Sequence, residues 1–132
     1  MGAWKLNGDI SVRCDAISPE EVTALTQVEP TRVVMSGSIA RPGAAPARAT
    51  MWYLKGRLGD IREPDAAVRA LIAQLPPSVD FKMLGKRATA WVELVCDFGD
   101  QTPRLWFPIE LLGMLANRGL SLDIDMIQTE MD

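Results

Sequence analysis

The chain contains no histidine. This removes the commonest general base and nucleophile activator, so neither a Ser-His-Asp nor a Cys-His site can form within one chain. Cysteine is scarce: Cys14 and Cys96 are the only two, with no Cys-x-x-Cys spacing and only Arg13 as an adjacent base. No apolar run reaches the length of a membrane span, so no membrane partner is expected. A basic stripe is also missing. The net charge is −3, and Arg32, Arg41, Arg48, Arg57 and Arg62 are scattered among acids, so nucleic acid is not the expected partner. Met1 to Asp9 shows no secretory pattern, and Leu6 stands where a myristoylation signal needs Ser or Thr. The expected compartment is the cytoplasm, where both thiols are read as buried and free rather than as a disulfide or redox pair.

What is present suits a single globular domain spanning residues 1–132, with 48% hydrophobic and 23% charged residues. From Trp4 to Cys14 apolar and polar residues alternate strictly, with Gly8 the only gap on the apolar side. That period predicts a strand with one buried and one wet face. Ser18, Pro19 and Glu21 form a capping box with proline at the first helical position, and Ile17 and Val22 stand at staple spacing. The helix they open carries Val22, Leu25 and Val28 and is expected to run to Pro30, which bars Glu29 from helical geometry.

A short strand is expected over Thr31–Met35. Residues 36–50, rich in Gly, Ala, Pro and Arg, read as a mobile loop, with the option that Arg41 and Arg48 order on something acidic. A strand with Trp52 and Tyr53 follows over Met51–Leu58. A second helix opens at Pro64-Asp65, carries Val68, Leu71, Ile72 and Leu75, and stops at Pro76-Pro77. Val79–Leu84 reads as a short extended piece with a turn near Gly85. Ala88–Phe98 alternates well enough to predict another strand, and Gly99–Pro103 a turn. A third helix over Pro108–Arg118, with Leu111, Leu112, Met114 and Leu115 inward, ends at Gly119. The final half-buried strand runs from Leu120 to Met126.

The two ends echo one another. Val12-Arg13-Cys14-Asp15 matches Leu94-Val95-Cys96-Asp97, and each strand precedes a helix opening Pro-x-Glu-apolar, at Pro19 and at Pro108. Packing alone can produce such a likeness. If the unit is used twice, the simplest fold is α+β: a largely antiparallel sheet with helices mainly on one face, a ferredoxin-like arrangement with an added helix.

Several segments together resemble a bacterial family of domains of unknown function, number 4279. They are Ile17-Ser18-Pro19-Glu20-Glu21-Val22, Val28-Glu29-Pro30-Thr31-Arg32 with Gly37, and Trp52-Tyr53-Leu54, then Pro108-Ile109-Glu110-Leu111-Leu112 and Gly119-Leu120-Ser121-Leu122-Asp123-Ile124-Asp125. The likeness runs from about Asp9 to Met126. One departure is Phe107-Pro108-Ile109, where the family has a Ser-Pro-type helix start. The resemblance implies a small α+β domain and no established activity, cofactor or catalytic residue.

The chemistry left to weigh is modest. Glu93 and Asp97 share the wet face of one strand, Asp123 and Asp125 that of another. Four such carboxylates can hold Mg²⁺ or Ca²⁺, but the plainer reading is that they solvate an open sheet, and Asp123-Ile124-Asp125 lacks the glycine and later glutamate of an EF-hand loop. No metal, cofactor or catalytic residue is therefore assigned. Arg32 can anchor an anion, or Thr31 and Arg32 can bond back to the helix end. Trp91 lies on the polar phase beside Glu93, either as a hot spot for a partner or covered by a loop or helix. Trp4 and Trp52 are expected in the core, and Trp106-Phe107 in the core or anchoring the third helix.

The leading expectation is a non-enzymatic protein-binding module that meets a basic protein partner through Trp91, Glu93, Asp97, Asp123 and Asp125. An immunity-type protein that blocks a toxin is one concrete form. The alternatives are a homodimer of structural or regulatory role, joined by a strand edge or that face, and a carboxylate- or metal-dependent enzyme.

Overall fold

The computed structural model describes residues 5–101 and 104–129. The elements follow in the order β1 (Lys5–Cys14), α1 (Pro19–Thr26), β2 (Arg32–Val34), β3 (Thr50–Lys55), α2 (Pro64–Ala73), a 3-10 helix (Phe81–Arg87), β4 (Ala88–Asp97), α3 (Ile109–Asn117) and β5 (Ser121–Ile127). The five strands form one open sheet in the order β2-β3-β1-β4-β5. Every pairing is antiparallel except β4 with β5, which is parallel. The fold is α+β, as expected. α3 carries the chain across to lay β5 beside β4, the crossover a parallel pair requires. Trp4 and Pro103, assigned above to the core and to a turn, lie outside the described residues.

One face of the sheet makes the core. Ile10, Val12, Trp52, Val92, Leu94 and Cys96 are buried there with Val22 of α1, Val68 and Leu71 of α2, and Leu111 and Leu115 of α3. The Trp52 indole lies inside this layer and donates its N–H to Thr23 Oγ1 at 3.1 Å. Gly8 is a gap for a steric reason. A Cβ there would stand 2.9 Å from the Glu93 carbonyl oxygen and 3.1 Å from Leu71 Cδ1, and one on Gly56 would stand 2.6 Å from Leu71 Cδ2. The two glycines let α2 press Leu71 onto the strands.

The helix ends show which local signals win. Ser18 caps α1 as expected, its hydroxyl accepting the Glu21 N–H at 3.1 Å, with the reciprocal bond also made. The helix stops at Thr26, short of Pro30. Gln27 turns left-handed at φ 58°, and the Thr26 hydroxyl donates to the Val22 carbonyl and accepts the Val28 N–H. Leu25 is exposed, while Val28 is buried just beyond the helix. The segment expected to be extended, Val79–Leu84, enters the 3-10 helix at Phe81 because Asp80 accepts the Lys82 N–H at 2.9 Å. Arg118 pins this stretch from the end of α3, donating to the Pro76 and Val79 carbonyls. Gly119 then turns at φ +70°, where a Cβ would meet Lys82 N at 2.6 Å.

α3 corrects the sequence reading most. Leu111 and Leu115 face the core, but Leu112 and Met114 are exposed, and Trp106 is 62% exposed rather than buried. Pro108 stands at its N-cap and offers no side-chain bond. Residues 36–50 hold no regular element before Thr50, and their neck is closed by Gly37 N–H to Ala47 O and Ala47 N–H to Ser38 O, both 2.8 Å.

Both cysteines are buried and free. Cys14 pairs across the ladder with Ala88 and Cys96 with Leu6. The thiols therefore sit at opposite ends of β1 and β4, eight residues apart along the ladder, roughly 27 Å at about 3.4 Å per residue, far beyond disulfide reach. Burial raises the pKa of both thiols, with Asp15 and Glu20 adding to the effect at Cys14. Neither is set up as a thiolate.

Candidate functional site

The reverse face of the sheet has no helix layer among the described residues, and alternation along each strand delivers its polar residues there. The strand registers align them in rows. One row reads Lys55, Asp9, Glu93, Asp123 across β3, β1, β4 and β5. The next reads Arg32, Tyr53, Ser11, Trp91, Ser121 from β2 to β5. The members of these rows on β1 to β4 line a concavity of about 950 Å³ that also reaches Thr31, Arg57 and Asp125. Ser11 forms its floor at 1% exposure.

The acids crowd one side. Carboxylate oxygens of Glu93, Asp123 and Asp125 lie within 4.8 Å of one another, and Asp9 is directly opposite Glu93. Like charges placed so across strands repel. Glu93 is half-buried, and Trp91 Nε1 donates to its Oε1 at 3.1 Å. Its Oε2 is buried without a hydrogen-bond partner among the described residues. Burial pushes the Glu93 carboxyl above the usual carboxylate range. The Trp91 donor opposes this, and Asp123, Asp125 and Asp9 add to it. Asp9 is also raised, chiefly by burial, against the pull of the Ser11 hydroxyl bonded to it and the Arg32 charge.

The bases hold the other side. The Arg32 guanidinium lies over the Tyr53 ring, 4.8 Å from its centroid, and forms no ion pair among the described residues. Such stacking orients a guanidinium while leaving its N–H fork free. Thr31 does not bond back to α1. Its backbone and hydroxyl both donate to the Tyr53 carbonyl, and its hydroxyl accepts the Lys55 N–H at 2.8 Å. This stitches β2 to β3 and positions Arg32.

Of the expected face, Trp91, Glu93, Asp123 and Asp125 come together. Asp97 shares the face but has another task. It accepts from Thr129 N–H and Oγ1 and from Gly99 N–H, and the Thr129 bonds hold its pKa below the ordinary value. Asp97 therefore ties the end of β4 to the chain beyond β5. Trp91 is half-buried and lines the concavity, with no helix over it among the described residues. Asp9, Tyr53 and Lys55 were not singled out by sequence reasoning. Their polar phase was visible, but only the register sets Asp9 between Lys55 and Glu93.

A family model described as Domain of unknown function (DUF4279) matches residues 6–129. The chain belongs to this family. No curated protein and no solved structure matches it.

Proposed function

We propose that this member of the DUF4279 family is a non-enzymatic binding module whose open sheet face receives a basic group of a protein partner. The observation carrying the proposal is the convergence of Glu93, Asp123 and Asp125, of which Glu93 and Asp125 line one concavity with the Trp91 indole. A lysine or arginine side chain placed there relieves the repulsion among the acids and supplies N–H donors to them. Trp91 provides the apolar and cation–π contact that anchors such a group. The absence of histidine supports a role without acid–base catalysis. Inhibition of a basic toxin by an immunity-type protein is one use such a face fits.

The test is partner capture from the native host with wild type, Trp91→Ala and Glu93→Gln. Both variants should fold and release the partner, and capture by wild type should weaken with salt. Capture that neither substitution changes would move the interface elsewhere.

A second reading has its own observation. Three carboxylates within 4.8 Å can also hold Mg²⁺ or Ca²⁺ through oxygen ligands. Millimolar Mg²⁺, Ca²⁺ or Mn²⁺ should then raise Tm for wild type and not for Asp123→Asn. Self-association is favoured instead by the exposed apolar run of Trp106, Ile109 and Leu112. Light scattering at high concentration reads it directly.

A further inference from the structure

The concavity has two poles, and only one is used by a basic group. Its acidic side is Glu93 and Asp125, with the Asp123 carboxylate alongside them. Its opposite side is Arg32 and Lys55, whose side chains make no hydrogen bond or ion pair among the described residues. Between the poles lie the Ser11 floor and the Tyr53 and Trp91 rings, aligned in one row across the sheet. Asp9, opposite Lys55 and Glu93 and within reach of the Arg32 charge, offsets the basic side only in part: among the described residues neither Arg32 nor Lys55 forms an ion pair with it, and the Arg32 fork stays open.

β2 and β4 are three strand steps apart in the sheet order, about 14 Å between backbones at about 4.8 Å per step. Arg32 narrows this gap by leaning over Tyr53. An extended chain covers about 3.3–3.6 Å per residue, so three or four residues bridge the poles.

From this geometry we infer that the occupant is a short dipolar peptide segment, its cationic end among Glu93, Asp123 and Asp125 and its carboxylate end on Arg32 and Lys55. The inference rests on the cation-binding reading above and extends it to a second charge of fixed polarity. A guanidinium forks onto a carboxylate, the aromatic rings take the intervening apolar surface, and a ligand of reversed or single charge meets repulsion or an empty pole.

Calorimetric titration of the full chain with tetra-alanine tests this in three forms: free-ended, N-acetylated and C-amidated. The free-ended peptide should bind tightest, and blocking either end should weaken it roughly tenfold, the scale of one charge-assisted contact. In Arg32→Ala, a substitution at an exposed position, the amide and the free-ended peptide should bind alike. If the amide binds wild type as tightly as the free-ended peptide, the second pole is idle: the inference falls while the cation-binding reading stands. If the acetylated form binds as tightly, both fall. If no form binds at millimolar concentration, the inference falls, and the cation-binding reading is then decided by whether partner capture depends on Trp91.

Discussion

The two faces of this sheet are built from the same strands and differ only in phase, yet they solve opposite problems. On the core face, Ile10, Val12, Trp52, Val92 and Leu94 interdigitate with Leu71 and its helix neighbours, and polar groups such as the Trp52 N–H are satisfied. On the open face, Asp9, Glu93 and Asp123 stand opposite one another in one row, and one Glu93 oxygen has no hydrogen-bond partner among the described residues. The first face is arranged for stability. The second carries local electrostatic conflict that a folded chain gains nothing from, which is the pattern expected where recognition overrides local stability.

If that division holds, substitutions on the two faces should separate cleanly. Leu71→Ala removes the side chain that fills the space over Gly8 and Gly56, and should destabilise by about 2–5 kcal/mol in denaturant unfolding. Gly8→Ala places a methyl against the Glu93 carbonyl and Leu71, and should cost roughly 1–3 kcal/mol. Trp91→Ala sits on a neighbouring strand but the other face. Its stability cost should stay near 1 kcal/mol, within the range of cross-strand pairs. Unfolding of Trp91→Ala at room temperature would make Trp91 a core residue and erase the distinction.

The smallest effect has the most telling sign. The folded state holds the Glu93 proton more tightly than the unfolded chain does. Its contribution to stability is therefore fully present below the ordinary carboxylate pKa and is lost as pH rises through the raised folded value. Gln is neutral throughout and keeps an acceptor for Trp91. Glu93→Gln should thus be more stable than wild type at neutral pH, by a few tenths to about 1 kcal/mol, and the gap should close in acid. Thermal melts across pH would read this, and a destabilised Glu93→Gln at neutral pH would mean that the acids are not in conflict.

Much of this was legible in the sequence because it is local. The alternation in β1 and β4, the Ser18 box and the Gly119 turn each depend on neighbours within a few residues. The end of α1 was not, because Thr26 and Gln27 close the helix by side-chain and left-handed geometry before Pro30 acts. The face of α3 misled because Leu111, Leu112, Met114 and Leu115 are all apolar, so only packing reveals that Leu111 and Leu115 point inward. For the site, strand phase groups Glu93, Asp97, Asp123 and Asp125 on one face, but it does not show that Asp97 is engaged by Thr129 and Gly99 while the other three crowd together. Asp9, Tyr53 and the inward lean of Arg32 depend on strand order, which no local pattern encodes. The echoed units show the same limit. β4-α3-β5 makes neighbouring parallel strands, whereas β3 lies between the strands of β1-α1-β2.

The most direct test is to follow backbone amide and indole N–H resonances during titration with free-ended tetra-alanine. The account predicts shifts confined to the open face, from Arg32 of β2 through Tyr53, Ser11 and Glu93 to Asp123 and Asp125 of β5, together with the Trp91 indole. Shifts centred on Trp106 and α3, or none along the open face, would contradict it.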